Sequence, residues 1–320
     1  MTSTWSVAAD AAISVLQMAG VVLGGPLLVG LMRTVRCRLE GRVGPPVRQP
    51  LLDLRKLARR QRTRPEHASW IFGLAPLLLV ATTLVVAAVA PLLATGPALG
   101  WSADLFAVVY LLLLGSVALA LGGLDTGTAF GGMGASRALT IGAVAEPALL
   151  VSILALSVPA HSSNLPAIIS GSLAHPLWLA TPERLLALAA FVIVIVAECG
   201  RLPVDNPGTH LELTMIHEAM VLEYSGSDLA LIKLGESMRL GVLVALFAVL
   251  FVPWGIATSP GPEHLAVSLV SLVAKVAVLG VGLAAFEVGV AKLRLFRVPE
   301  LMAGAFVLAV LAVLSALVLA

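Results

Sequence analysis

The residues with the clearest capacity for chemistry are acidic side chains in one segment, Ala197–Leu229. Carboxylates held close together repel one another when they are ionised, which raises the pKa of some of them. A carboxylate that titrates near neutral pH takes up and releases protons, so the segment indicates a proton relay. Its six carboxylates, which accompany a single arginine, Arg201, are Glu198, Asp205, Glu212, Glu218, Glu223 and Asp228.

The alternative interpretation of this segment is a solvated acidic loop. A helix over 209–224 would place Glu212 and Glu223 on one face, because they are separated by about three turns. The same stretch is rich in apolar side chains, which favours burial within the protein. His217-Glu218 is not a zinc-protease motif, because that motif needs a second histidine where the chain has Val221.

Three further charged residues interrupt long apolar runs. Glu146 and Lys275 lie inside such runs, and a charge at membrane depth is costly unless it faces a cavity or a partner. We therefore expect both to be buried beside such a partner. Glu287 lies near the end of its run and close to Lys292, which favours a side chain that reaches back to water.

The two cysteines argue against a metal centre within the chain. Cys37 and Cys199 are far apart in sequence. Iron–sulfur clusters and structural zinc sites usually need four Cys or Cys and His ligands. We therefore expect no metal site in this chain.

The elements that position these residues are membrane helices. Of the 320 residues 59% are hydrophobic and 12% charged, and the mean hydropathy is +1.02. A bilayer core is spanned by about 20 apolar residues, and backbone polar groups in lipid must be satisfied within a helix or a closed barrel. The apolar runs do not alternate, so the prediction is an all-α, polytopic membrane protein. The eight predicted spans run at about 10–32, 70–93, 104–124, 139–158, 185–200, 239–258, 265–287 and 300–319.

The placement of Lys and Arg predicts the orientation of these spans. The stretch 33–66 carries eleven of the twenty basic residues and a net charge of +8. With eight spans, Arg184 is the one basic residue opposite all the others, so the basic side is cytoplasmic and both termini lie outside. The cytoplasmic segments are a basic loop at 33–69, a glycine-rich loop at 122–138 and an acidic loop at 198–230.

The basic loop also predicts a short amphipathic helix that begins at Gln49-Pro50. Leucines from Leu51 onwards alternate there with Arg55, Lys56, Arg59 and Arg60. One interpretation is an anchor against anionic lipid, and the other is a docking surface for a cytoplasmic partner.

The glycine-rich segment 122–138, GGLDTGTAFGGMGASRA, also has two interpretations. It lacks the Lys-Ser/Thr ending of a phosphate-binding loop. It is either a tight turn where backbones pass closely, or part of a site that includes Asp125 and Arg137.

Three segments together resemble the complex I subunit 1 family. They are RLEGRVGP continuing to QPLLDLRKL (38–57), GLDTGTAFGGMGASR (123–137) and AECGRLPVDNP with EYSG (197–226). The chain is most similar to the hydrogenase branch, the membrane subunits of group 4 nickel–iron hydrogenases, which include formate hydrogenlyase subunit 4 and hydrogenase-4 component C. Two positions depart from family patterns: Pro207-Gly208-Thr209-His210 replaces the Pro-Glu-Ala-Glu of quinone-reducing members, and Ala138 stands where many hydrogenase members have Glu.

The resemblance implies a non-catalytic anchor subunit in the inner (plasma) membrane, without a redox cofactor of its own. Nickel–iron and iron–sulfur centres are expected in peripheral hydrogenase and iron–sulfur partner subunits, with antiporter-like membrane subunits beside the chain. The proton-relay candidates are Glu146, Glu198, Asp205, Glu212, Glu218, Glu223 and Lys275. The candidates for partner docking are Arg42, Asp53, Arg55, Lys56, Arg59, Arg60, Asp125 and Arg137.

Three functions compete. The first is the ion-translocating anchor of a hydrogenase or formate hydrogenlyase complex. The second is the equivalent subunit of an NADH–quinone oxidoreductase, against which the stretch Pro207–His210 argues. The third is a stand-alone transporter, which an inverted repeat would support; the sequence shows none, and the one-sided basic loop indicates a partner.

Overall fold

The computed structural model describes residues 7–96, 102–176, 181–205, 215–259, 261–294 and 297–319. In those ranges the chain forms eleven helices and no strand. The helices are α1 Val7–Leu39, α2 Gln49–Ala58, α3 Trp70–Val89, α4 Leu105–Asp125, α5 Ala129–Ala160, α6 Leu165–Ala174, α7 Pro182–Glu198, α8 His217–Val221, α9 Gly226–Phe251, α10 Pro262–Gly289 and α11 Val298–Leu319. The all-α prediction is confirmed.

Within the described part of the chain, seven helices are long and apolar enough to cross a membrane: α1, α3, α4, α5, α9, α10 and α11. The remaining predicted span, at 185–200, corresponds to α7, which has 17 residues and a length of about 26 Å. Although α7 is short, it reaches from one end of the bundle to the other. Arg184 near its start donates to the carbonyl of Leu250 at the end of α9, and Arg201 beyond its end lies 3.6 Å from Glu287 at the end of α10.

Helix α9 is the central helix of the bundle. In its most apolar stretch 89% of the residues are buried, against 11% in α10, whose valines face outward. Close approach of α1 explains part of this burial. A Cβ at Gly25 would lie 2.5 Å from the carbonyl oxygen of Ser237, so only glycine lets the two backbones meet there.

At the end of the bundle opposite to the basic loop, one side chain satisfies the backbone groups that α3 leaves open. Gln17 of α1 donates to the carbonyls of Ala87 and Ala90, and its oxygen accepts from the N–H groups of Leu92 and Leu93. An unpaired backbone group in this apolar surrounding would be costly.

Two of the segments predicted to be cytoplasmic loops contain helix, and the glycine-rich one is largely helical. The predicted amphipathic helix is α2, which begins at Gln49 as expected. Helix α5 begins at Ala129, so the glycine-rich segment forms a short turn and the first turns of a long helix. Its glycines pack closely: a Cβ at Gly134 would lie 2.8 Å from that of Ala219. The interpretation as a close passage of backbones fits this geometry.

Candidate functional site

The most deeply buried charged cluster joins three helices at Arg239 of α9. One guanidinium nitrogen of Arg239 lies 3.4 Å from a carboxylate oxygen of Glu146 on α5, and it also hydrogen-bonds Glu198 at the end of α7. A second guanidinium nitrogen donates to the carbonyl of Leu112 on α4, at 3.0 Å. The three charged side chains are each 6% exposed. We call them the arginine triad. The charged partner expected for Glu146 is therefore Arg239, which sequence reasoning did not identify.

A second cluster lies further towards the start of α9. The ammonium of Lys233 is 2.6 Å from Glu218 of α8 and 3.2 Å from Glu236, one turn further along α9. Lys233, Glu236 and Arg239 are three residues apart in turn and therefore share one helix face. The sequence shows this spacing, but the prediction that the sixth span begins at about 239 left Lys233 and Glu236 outside the span.

A third cluster surrounds Glu287 at the end of α10. Its carboxylate is 3.9 Å from Arg36 of α1 and 3.6 Å from Arg201, and its side chain is 5% exposed. The expectation that Glu287 reaches back to water beside Lys292 is wrong. Two arginines neutralise it inside the protein, and Lys292 contacts Asp205 instead.

The fourth cluster is centred on Asp205, in the turn after α7. Lys292 lies 3.1 Å from one carboxylate oxygen, and His217 Nδ1 lies 3.6 Å from the other. The second oxygen also accepts from the backbone N–H groups of Ile216 and His217, at 3.3 and 3.2 Å. Burial raises the pKa of Asp205, but the nearby imidazole of His217 and the ammonium of Lys292 outweigh burial and hold the pKa at about 2. Asp205 is thus an anchored anion near neutral pH.

These four clusters surround one cavity of about 600 Å³. All their charged side chains line it except Glu146 and Lys292, which lie one contact behind its wall, and Arg33 and Asp53 complete the charged lining. Apolar side chains of α1 and α2, such as Met32 and Leu54, form the rest of the wall. The structure therefore brings three of the seven relay candidates (Glu198, Asp205 and Glu218) around a shared space and places a fourth, Glu146, directly behind it.

Three relay candidates lie elsewhere. Glu212 is outside the described residues. Glu223 is exposed. It lies in the turn after α8, a helix that covers only His217–Val221. Lys275 is half-buried, and its ammonium donates to the carbonyls of Val252 and Trp254 beyond the end of α9, far from the acidic clusters. It satisfies helix-end carbonyls there.

The docking candidates divide into exposed and structural residues. Arg42 is exposed and bonded to Glu40, whereas Asp53 accepts from Gln49 at 2.9 Å and lines the cavity. The four basic residues of and just after α2 are all exposed; they are Arg55, Lys56, Arg59 and Arg60.

Asp125 and Arg137 instead tie together the segments that were predicted to be cytoplasmic. Asp125 accepts from the backbone N–H groups of Ser69 and Phe72 at the start of α3, at 2.7 and 3.1 Å. Arg137 donates to the carbonyl of Met215, at 3.1 Å. Among the described residues, no group of three or more His, Cys, Asp or Glu is placed to hold a metal ion.

Comparisons with known proteins agree with this architecture. The chain is 38% identical over 251 residues to hydrogenase-4 component C of Escherichia coli strain K12, covering 78% of each chain. It is 35% identical over 292 residues to formate hydrogenlyase subunit 4 of the same strain, covering 91% of this chain and 94% of that one. It is also 33% identical over 250 residues to a subunit of the NADH-quinone oxidoreductase of Syntrophobacter fumaroxidans, covering 73% and 74% of the two chains.

A solved structure shares the fold. A chain from the membrane-bound sulfane sulfur reductase, an archaeal respiratory membrane complex, matches 95% of this chain with a TM-score of 0.77 at 22% identity. The helices and these relatives together make the chain a multi-pass membrane protein. The NADH dehydrogenase family model matches residues 11–320, so the chain belongs to that family, in the group that includes formate hydrogenlyase subunit 4 and hydrogenase-4 component C.

Proposed function

We propose that the chain is the membrane anchor and ion-translocating subunit of an energy-converting hydrogenase or formate hydrogenlyase complex in the cell's inner membrane. The relatives with hydrogenase and formate hydrogenlyase names support the class of complex. The charged cavity supports ion movement, and it is the observation that carries the proposal. The orientation with both termini outside stays a prediction from the basic loops.

The arginine triad has the composition that proton transfer requires. Two carboxylates share one permanent cation, so one carboxylate is in excess of the positive charge. A proton that neutralises either acid leaves a balanced pair with Arg239, whereas two ionised acids leave a buried negative charge. Because an uncompensated buried charge costs several kcal/mol, proton occupancy and the position of the guanidinium are coupled. A change of charge in a partner subunit that moves the guanidinium therefore also moves that proton.

The partner subunits supply the electron chemistry. Nickel–iron and iron–sulfur centres belong to peripheral hydrogenase and iron–sulfur subunits, and antiporter-like membrane subunits continue the ion path. The exposed basic face of α2 suits an acidic surface on the peripheral subunits, since complementary charge speeds and orients association.

The test is ion movement by the purified complex in sealed vesicles, measured beside its electron-transfer rate. Glu198→Gln keeps the shape of the triad but removes one of its two carboxylates. We expect ion movement per electron to be lost while the complex stays assembled. Glu223→Gln is the matched control, because Glu223 is exposed and contributes nothing to the cavity wall. Undiminished ion movement in Glu198→Gln would refute the relay.

The second candidate function is the corresponding membrane protein of an NADH–quinone oxidoreductase. The relatives from oxidoreductases of that name favour it, although at lower identity than the two from Escherichia coli. A gentle-detergent purification with metal analysis separates the two. Nickel with iron–sulfur subunits supports the hydrogenase complex, and flavin with iron–sulfur subunits but no nickel supports the oxidoreductase. Purification of the chain without any partner would favour a transporter instead.

A further inference from the structure

His217 is a histidine that lines the large cavity, and it occupies a tightly defined place there. It is the first residue of α8, and its backbone N–H donates to Asp205. A Cβ at Gly200 would lie 2.6 Å from His217 Nδ1, so the imidazole lies directly against the backbone of Gly200. Nδ1 is buried at 3.6 Å from Asp205 Oδ2 and has no hydrogen-bond partner among the residues that the structure describes. This distance is slightly too long for a hydrogen bond and short enough for strong electrostatic coupling.

The charges that face His217 come from each neighbouring element. Asp205, Glu198 at the end of α7 and Glu236 of α9 are the anions that act on it. Lys292 faces Asp205, and Arg137 of α5 holds the carbonyl of Met215 two residues earlier. Burial lowers the pKa of His217, but the three carboxylates outweigh burial and raise the pKa above 6.5. The neighbouring carboxylates therefore favour the imidazolium form of His217.

The charge balance of the cavity depends on this residue. The triad and the Lys233 cluster each carry one carboxylate more than their cations, whereas the Glu287 cluster carries one cation in excess. Lys292 pairs with Asp205, and Arg33 and Asp53 add one charge of each sign to the cavity lining. Arg36 also contacts Glu40, whose charge Arg42 balances. With every acid ionised and His217 neutral, one negative charge is left over. A proton on His217 cancels it.

Most of the other charged groups of the cavity are held by fixed partners. The ammonium groups and most of the guanidinium groups contact carboxylates, and lysine and arginine keep their protons near neutral pH. Imidazole has an ordinary pKa near 6.5 and two ring nitrogens, so it accepts a proton at one and releases a proton from the other.

We propose that His217 is the proton-carrying link between the loop after α7 and the carboxylate of Glu198 in the arginine triad. This inference rests on the proposed function. In the step, the imidazolium gives one proton across the cavity to the Glu198 carboxylate, which leaves a neutral imidazole and a carboxylic acid. The imidazole then takes one proton from the cytoplasmic side and becomes imidazolium again. Asp205 and Lys292 position the ring and are not consumed.

The experiment uses the intact complex in sealed vesicles, with proton uptake and electron transfer measured over a range of pH. His217→Gln removes the titrating group, and His217→Arg keeps a positive charge beside Asp205 that is not released. We expect both variants to assemble, to transfer electrons and to lose about a hundredfold in proton uptake per electron. His264→Gln, an exposed histidine at the start of α10, is the matched control and should behave as the unaltered protein.

If His217 served only as one half of a structural salt bridge with Asp205, the result would differ. The His217→Arg protein would then pump protons normally, because a positive charge beside Asp205 would be enough. Normal pumping in either His217 variant would overturn the proposal. Should the longer arginine side chain prevent assembly beside Gly200, Asp205→Asn supplies a second test. It removes the main carboxylate that stabilises imidazolium, so the pH at which proton uptake falls to half should move downward. An unchanged midpoint would also overturn the proposal. Absence of proton uptake in the unaltered complex would instead contradict the proposed function itself.

Discussion

Substitution of Arg239 should destabilise the chain far more than substitution of either acid that it binds. In Arg239→Gln both Glu146 and Glu198 lose their buried cation, and the carbonyl of Leu112 loses its side-chain donor. Removal of one partner from a buried ion pair costs about 3–5 kcal/mol, because the remaining charge is left uncompensated. We therefore expect a loss of about 3–5 kcal/mol in the free energy of unfolding.

Glu198→Gln should have a much smaller effect on stability. It leaves Glu146 and Arg239 as a balanced pair, and the amide of glutamine still offers an oxygen to the guanidinium. A loss within about 1 kcal/mol is expected, comparable with that of a single neutral hydrogen bond. The same variant should abolish ion movement, so stability and function separate at this residue.

The assay is denaturant-induced unfolding of the full chain in detergent, followed by tryptophan fluorescence. Arg55→Gln is the matched control, because Arg55 is exposed and surface substitutions usually lie within about 0.5 kcal/mol of zero. Equal losses in Arg239→Gln and Glu198→Gln would refute the reasoning, since they would show that the triad is not organised by a shared cation. So would an Arg239→Gln protein as stable as the unaltered chain.

Three further predictions follow from other parts of the structure. Charge reversal of the exposed basic residues of the α2 region should release the peripheral subunits from membranes, measured by sedimentation of the vesicles; continued binding would mean that α2 contacts lipid only. Asp205→Asn should cost about 2 kcal/mol in unfolding free energy at neutral pH, because the pKa of Asp205 is held at about 2. Since that pKa is depressed, the difference between the two proteins should be complete above pH ~4 and disappear as the pH falls towards 2, and a pH-independent difference would contradict it. Gly25→Ala should cost about 1–3 kcal/mol because its Cβ would meet the carbonyl of Ser237, whereas Gly24→Ala, with nothing within 4 Å, should be tolerated; equal effects of the two would refute the close packing of α1 against α9.

The sequence predicted the class of fold because long apolar runs have one solution in lipid. It placed the beginning of the sixth span at about 239, whereas α9 begins at Gly226. The reason is physical. Lys233, Glu236 and Arg239 lower the local hydropathy, but each has an ion-pair partner inside the bundle. Lys233 pairs with Glu236 and with Glu218 of α8, and Arg239 pairs with acids of α5 and α7. A pattern read along one chain contains no information about which distant residues balance a charge.

The candidate site was predicted only in part, because the sequence does not show which distant residues balance a charge. Glu146 and Glu198 were identified because an acid within or at the end of an apolar run stands out in the sequence. Glu287 was not assigned to the site, because a residue near a helix end is as readily explained by contact with water. His217 was considered only in the zinc-protease motif, which the sequence does not complete. Only the fold shows that Arg36 and Arg201 converge on Glu287. The expected face shared by Glu212 and Glu223 depended on a helix that the described residues show only at His217–Val221.

The two clusters on α9 suggest why this helix is both central and charged. Lys233 lies between Glu218 and Glu236, and Arg239 lies between Glu146 and Glu198, so each cation has two carboxylates and each cluster has room for one proton. Because the two cations lie on the same face of one buried helix, a small shift of α9 changes both distances together. On the proposed function, the chain responds to charge in a neighbouring subunit when protons move between these fixed carboxylates. Because α9 is buried on nearly every side, the proposed relay predicts that such a shift reaches the side chains around the cavity.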